Sequence, residues 1–235
     1  GVTQSLAKAC KAMGVDIFLS APVDRVLVKD GKATGIALKD GREFRARAVA
    51  SAVDPNITFN KLVDEKELPQ EFLKNVRRIN YDSASVKINL ALSELPDFTA
   101  IPGKVAGPHH RGTIHICPSM QYIEEGYADS VAGRPSRNPI LECSIPTVID
   151  STIAPPGKHV MNMFVQYGPY NLKNGRTWDQ EREAFGDRCI EILSEYAPNI
   201  KSAILHREVL TPLDMEREYS ITGGNILHGR LSLDQ

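Results

Sequence analysis

Residues 23–47 read VDRVLVKDGKATGIALKDGREFRAR, and this stretch decides the fold of the first part of the chain. Val23–Lys29 alternates apolar and polar side chains, Asp30-Gly31 turns it, and Ala33–Leu38 runs back. Asp40-Gly41 then turns it again, and Arg42–Arg47 leaves a third time. Asp-Gly between alternating segments is the strongest short hairpin signal, because a type I′ turn needs positive φ at both central residues. Two such signals in succession predict a three-stranded β-meander.

Upstream of the meander, Leu6, Ala9, Cys10 and Met13 recur at i, i+3, i+4 and i+7, which predicts a helix over Thr3–Met13 with Gly14 as its C-cap. Val15–Leu19 reads as a short buried strand ended by Ala21-Pro22. Downstream, Ala48–Val53 reads as an apolar strand of small residues stopped by Asp54-Pro55. That stop marks a boundary between residues 1–55 and a second region, 56–222, with 223–235 returning to the first.

The second region changes character. Ser85–Leu92 alternates strictly, with Val86, Ile88, Leu90 and Leu92 on one face, as a half-buried antiparallel strand does. Further strands are predicted at Thr113–Cys117, Ile140–Ile145, His159–Gln166 and Ile204–Leu210. Helices are predicted at Glu67–Ile79, at Pro118–Val131 with Ile123, Tyr127 and Val131 in register, and from Thr177 to Tyr196. The last opens with the capping box Thr177…Gln180 and turns Phe185, Cys189, Ile192 and Tyr196 inward. A short helix starts at Thr211-Pro212. Strands and helices in this order imply an α+β layer arrangement.

The chain of 235 residues balances 28 Lys+Arg against 29 Asp+Glu, which argues against a nucleic-acid footprint. No apolar run approaches the roughly 20 residues of a membrane span, and no secretory leader pattern is visible. Cys10, Cys117, Cys143 and Cys189 lie far apart, which excludes a Cys-x-x-Cys redox pair. They read as reduced thiols of the cytoplasm or an organelle matrix, not of a secreted protein. The start at Gly1 without Met reads as a piece cut from a longer protein.

Chemistry-bearing residues are few. His109, His110, His115 and Cys117 are zinc-ligand types, but no second cluster completes a set, and they read as a polar loop and strand; no metal is expected. Neither a Gly-x-Ser-x-Gly elbow nor a glycine-rich nucleotide loop of the usual spacing occurs. Asn225 and His228 sit among Gly223, Gly224 and Gly229. Such a segment lets backbone approach a flat ligand, or it is a capped turn; the residues alone leave both open.

Gly1–Ala7, Gly14–Ile17, Pro22-Val23, the meander and Val49–Pro55 resemble the middle of the phytoene-desaturase-like flavoproteins. These lie within the FAD-dependent amine oxidase and GDP-dissociation-inhibitor superfamily. Ile153–Gly157, Gln166–Tyr170, Tyr196-Ala197-Pro198, Leu210–Arg217, Gly223–Gly229 and Ser232–Gln235 are similar to its subgroup called pyridine nucleotide-disulfide oxidoreductase domain-containing protein 2. The resemblance implies a mixed α+β and α/β fold. Part of a Rossmann-like FAD domain carries the meander, and a mixed-sheet substrate domain follows.

By that resemblance Val23 holds the adenine through its backbone, and Ala52 and Asp54 lie on the strand returning beside the cofactor. Gly224 and Asn225 lie near the flavin, and Asn225 and His228 shape the substrate cleft, with no residue assigned as acid or base. The implied reaction is hydride transfer from a C–H or C–N bond of an apolar small molecule to FAD, the flavin carrying the chemistry. The superfamily also contains non-catalytic members, so a ligand- or protein-binding module is the alternative. The glycine-rich pyrophosphate loop on a helix N-terminus does not occur in this sequence, nor does the family's closing glycine-rich segment. The chain alone is therefore expected to hold FAD weakly or not at all and to be inactive. Uncovered strand edges and apolar surface imply self-association or mobility of residues 1–55; for the parent, a homo-oligomer or contact with a membrane surface is expected.

Overall fold

The computed structural model describes residues 1–233, which fall into two units, 1–78 and 79 onward. In the first, the alternating stretch forms the antiparallel meander β1 (Val23–Lys29), β2 (Lys32–Leu38) and β3 (Glu43–Arg45). Its first turn has Asp30 at φ 51° and Gly31 at φ 72°, the expected type I′ signature. The second turn differs. Gly41 is left-handed at φ 89°, while Leu38 N–H donates to Arg42 C=O at 2.8 Å and Gly41 N–H to Leu38 C=O at 3.0 Å. This is a three-residue loop with a glycine bulge. The Asp40 carboxylate explains it: it accepts from Arg42 N–H at 3.1 Å and from the Arg42 guanidinium at 2.8 Å, an Asx-type closure.

Two expected strands do not form. Val15–Leu19 and Ala48–Val53 pair with no strand among the described residues, and Val15, Ile17, Phe18, Leu19 and Val53 are exposed. Apolar composition makes a strand only where a ladder and a covering layer exist. The helix α1 (Val2–Ala12) forms as its spacing predicts, yet buries no side chain. Beyond the meander, α2 (Pro55–Ile57) runs into a wider turn at Thr58–Leu62, followed by α3 (Gln70–Arg78). Leu73 and Val76 are the buried positions of α3, and Phe72 meets Phe59 edge-on at 4.8 Å between ring centroids.

The second unit is built on a five-stranded sheet. Its elements are β4 (Ser85–Leu92), α4 (Pro108–Arg111), β5 (Ile114–Ile116), α5 (Met120–Val131), β6 (Ile140–Ser144), β7 (His159–Gln166), α6 (Trp178–Tyr196), α7 (Ile200–Ala203), β8 (Ile204–Leu210) and α8 (Pro212–Tyr219). The spatial order is β5-β6-β7-β4-β8, antiparallel at every pairing, and so more regular than the mixed sheet the resemblance implies. Val86, Ile88 and Leu90 lie opposite Val165, Met163 and Met161, and Leu141 and Cys143 continue that row on β6. This face is sealed by Trp178, Phe185, Cys189, Ile192 and Leu193 of α6. Tyr196, at the end of the helix, stays at the surface.

The sequence is misleading at α5. Tyr127 and Val131, two members of its predicted apolar row, are exposed, while Gly126 and Asp129 are buried. Helix α5 packs through the side where Gly126 allows approach to Ser136 and Tyr167. Asp129 anchors that side, taking the Arg137 backbone N–H at 2.9 Å and the guanidinium groups of Arg134 at 2.6 Å and Arg137 at 3.2 Å. Burial alone would raise the Asp129 carboxyl, but these donors more than offset it and hold it below its ordinary 3.8.

Candidate functional site

The site grows from the end of β8. Thr211 is buried there, donates its hydroxyl to Asp214 at 2.6 Å and accepts from Asp214 N–H at 3.3 Å, which caps α8 with Pro212 in its first turn. Asp214 also pairs with Arg182 of α6, fixing α8 against that helix. Glu216, on α8, accepts Gly223 N–H at 2.9 Å with one oxygen and the Tyr170 hydroxyl with the other. One carboxylate therefore ties the glycine loop to the segment following β7. Burial, and then Glu216 itself, push the Tyr170 hydroxyl up to about 12, so it stays protonated at neutral pH.

The loop is held by backbone contacts that only glycine permits. Gly223 and Gly224 are left-handed at φ 61° and 63°. A Cβ would lie 2.5 Å from the Tyr81 carbonyl at Gly223 and 2.3 Å from the Pro212 carbonyl at Gly224. Asn225 is buried, donates Nδ2–H to Asp82 C=O at 3.0 Å and accepts Leu227 N–H at 2.9 Å. Arg230 N–H donates to Asn80 C=O at 2.8 Å. The loop is thus laced to residues 80–82, just before β4.

Beside this lacing lies a cleft of about 570 Å³. Asp82, Ser83 and Ala84 form one wall, Tyr127, Ser130 and Val131 of α5 another, and Pro169 to Asn171 with Lys173 a third, closed by Arg230. Tyr127 and Val131, two of the three residues in the predicted register of α5, stand in a wall of this cleft. Lys173 and Arg230 make no ion pair among the described residues, and Asp82 is the acidic group in the lining. The volume is that of a small-molecule site, roughly 300–1,000 Å³.

The predicted residues separate by unit. Gly224, Asn225 and His228 share the glycine loop in the second; Val23, Ala52 and Asp54 lie in the first. Val23 begins β1, an edge strand, opposite Leu38. Ala52 is exposed in an extended stretch. Asp54 is buried and accepts Ile57 N–H at 2.9 Å, capping α2. His228 is exposed at φ 57°. Sequence reasoning gave no role to Tyr170 and Glu216, although both lie in runs that carry the resemblance; Asp82, Lys173 and Arg230 carried no signal of their own.

These residues fit a flavin in part. Val23 lies on an edge strand and Ser51 and Ala52 are exposed, whereas the Val53 carbonyl accepts the Thr58 hydroxyl at 3.4 Å, and Asp54 and Asn225 are occupied by capping and loop bonds. A diphosphate needs backbone N–H groups at a glycine-rich helix N-terminus, and no such turn is found among the described residues.

The histidine cluster has other duties. His110 is buried, accepts Gly107 N–H at Nδ1 (3.2 Å) and donates Nε2–H to Pro96 C=O (2.9 Å), with the His109 ring tilted 43° against it at 3.9 Å between centroids. No three His, Cys, Asp or Glu side chains converge as a metal set among the described residues. All four cysteines are free thiols, and burial pushes Cys143 up to about 12. No described helix is long and apolar enough to cross a membrane.

Known proteins resemble this chain in sequence and in fold. Residues 1–112 match the model described as flavin containing amine oxidoreductase. The chain is 38% identical over 240 aligned residues to the mouse pyridine nucleotide-disulfide oxidoreductase domain-containing protein 2, covering 100% of this chain and 41% of that protein. It is 26% identical to a lycopene-forming phytoene desaturase of Pseudescherichia vulneris, over 91% of this chain and 41% of the enzyme. Among solved structures, an oxidoreductase from Methanosarcina mazei superposes with a TM-score of 0.59 at 22% identity, over 90% of this chain and 42% of that one. The chain thus spans about two-fifths of the length of the proteins it matches, and the structural likeness establishes a shared fold.

Proposed function

We propose, from the premise that this chain is homologous to the flavin-containing amine oxidoreductases and the phytoene desaturases, that it forms the substrate-side portion of an FAD-dependent oxidoreductase. In this reading the whole protein removes hydride from a C–H or C–N bond of a largely apolar small molecule. When bound, the flavin supplies the electron sink. This chain's residues orient and enclose the substrate: the Tyr127–Val131 wall shields it from water, Glu216 keeps the Tyr170 hydroxyl and the glycine loop in register, and Asn225 holds that loop against Asp82. Val23 and Ala52 would contribute backbone to the cofactor.

The observation that carries the reading is that the glycine loop, part of the resemblance to the family, is laced to the rim of the cleft. The four free thiols suit a reducing compartment, cytoplasm or organelle matrix. The test is the product of the complete gene. Purified, it is expected to be yellow with one flavin per chain, while residues 1–235 alone retain no FAD through gel filtration. A folded, colourless complete protein that ignores added FAD would turn the reading toward a non-catalytic binding module.

A further inference from the structure

The cleft is two-sided in chemistry. Tyr127 and Val131, 53% and 62% exposed, stand on the α5 wall. Opposite charge is not balanced within it: Lys173 and Arg230 stand against the single carboxylate of Asp82, and neither cation has an ion-pair partner among the described residues. Elsewhere in this unit guanidinium groups are commonly paired, as Arg134 is with Asp129, Arg182 with Asp214, Arg207 with Glu183 and Arg217 with Asp179. The main chain of both residues is fixed beside the cleft. Lys173 N–H donates to Gly133 C=O at 2.8 Å, and the lysine stem lies over Gly133, where a Cβ would come within 2.5 Å of it. Arg230 is held through its N–H on Asn80 C=O.

From this we infer that the substrate of this cleft is an anionic amphiphile, with an apolar body along Tyr127 and Val131 and a carboxylate or phosphate head at Lys173 and Arg230. The inference rests on the reading of the cleft as a substrate site and adds the substrate's charge. Two cations beside a low-dielectric wall attract an anion more than either does in open water. Asp82 opposes a second negative charge, which favours a singly charged head over a doubly charged one.

The test titrates the complete protein and residues 1–235 with dodecanoate, dodecyl phosphate and dodecanol below their micelle concentrations, by calorimetry. Dodecanoate is expected to bind about tenfold more tightly than dodecanol, with dodecyl phosphate between them. The preference is expected to shrink at about 0.5 M salt, where the Debye length is only a few ångströms. The double variant K173M/R230M keeps the lysine stem over Gly133 and is expected to bind acid and alcohol within about twofold of each other, whereas K173R/R230K retains the preference. Equal affinity for acid and alcohol in the unaltered protein overturns the inference, and so does a preference that survives K173M/R230M. Loss of flavin from the complete K173M/R230M protein with ligand selectivity intact assigns the cations to the cofactor phosphates and also overturns it. Flavin content is read separately in every sample, so a flavin-free protein that still prefers the anion defeats only the oxidoreductase reading.

Discussion

The two sheets of this chain follow the same alternation rule and end in different states. In the five-stranded sheet, Val86, Ile88, Leu92, Leu141, Met161, Met163 and Val165 are each 0% exposed, because α6 lies over that face. In the meander, β1 has no buried residue, and the burial of β2 is confined to Gly35, Ala37 and Leu38. Helix α1 carries a regular apolar stripe and buries none of it. Periodicity dictates which side chains share a face, but a covering layer decides whether that face is a core. Stability in this chain should therefore be concentrated in the second unit.

Four substitutions would break or sharpen that contrast. Leu90→Ala, in the centre of β4 opposite Met161, should cost about 3 kcal/mol, read from urea unfolding of Trp178, the single tryptophan of the chain. Val26→Ala in the meander should cost under about 1 kcal/mol, read from hydrogen exchange of the β1–β2 amides. Equal costs would mean the meander is as well covered as the larger sheet.

Asp129→Asn tests the polar anchor of α5 and should cost about 2 kcal/mol at pH 7. The folded carboxyl lies below its ordinary 3.8, so its contribution is complete above that value and is lost as pH falls through the lower, folded one. The gap between wild type and variant should hold from pH 7 to about 5 and close only below the ordinary carboxylate range. A gap that widens on acidification would show that Asp129 is not the charged anchor described.

Leu19→Ser should change stability by no more than about 0.5 kcal/mol, since Leu19 is 84% exposed. It should instead lower the mean mass in light scattering, if the exposed Val15–Leu19 run drives association of this chain. A monomeric wild-type chain would separate exposure in this unit from any tendency to associate.

Much of the fold was legible. The meander, the alternation of β4, the Gln180 side chain returning to Thr177 N–H and the Thr211 hydroxyl cap follow from local chemistry: a side-chain period of two, positive φ at Asp-Gly, and side-chain oxygens that satisfy free N–H groups. Less of the candidate site was legible. Asn225 and the glycines stood out by their neighbours, but the link from Glu216 to Tyr170 joins residues far apart in the chain, and nothing in either neighbourhood announces it. The second Asp-Gly turn departed from expectation because the Asp40 side chain closed on Arg42, a choice that the dipeptide does not encode.

By itself the sequence determined where strands and helices can lie and which residues line each face, since those depend on neighbours within a few positions. Tertiary structure decided which faces became interior. It turned Tyr127 and Val131 outward as a cleft wall while burying Asp129, and it left Val15–Leu19 without a ladder. It also set Asp82, Lys173 and Arg230 around one cavity. Those outcomes rest on contacts between distant segments, whose closure depends on the packing of the whole unit rather than on any local preference.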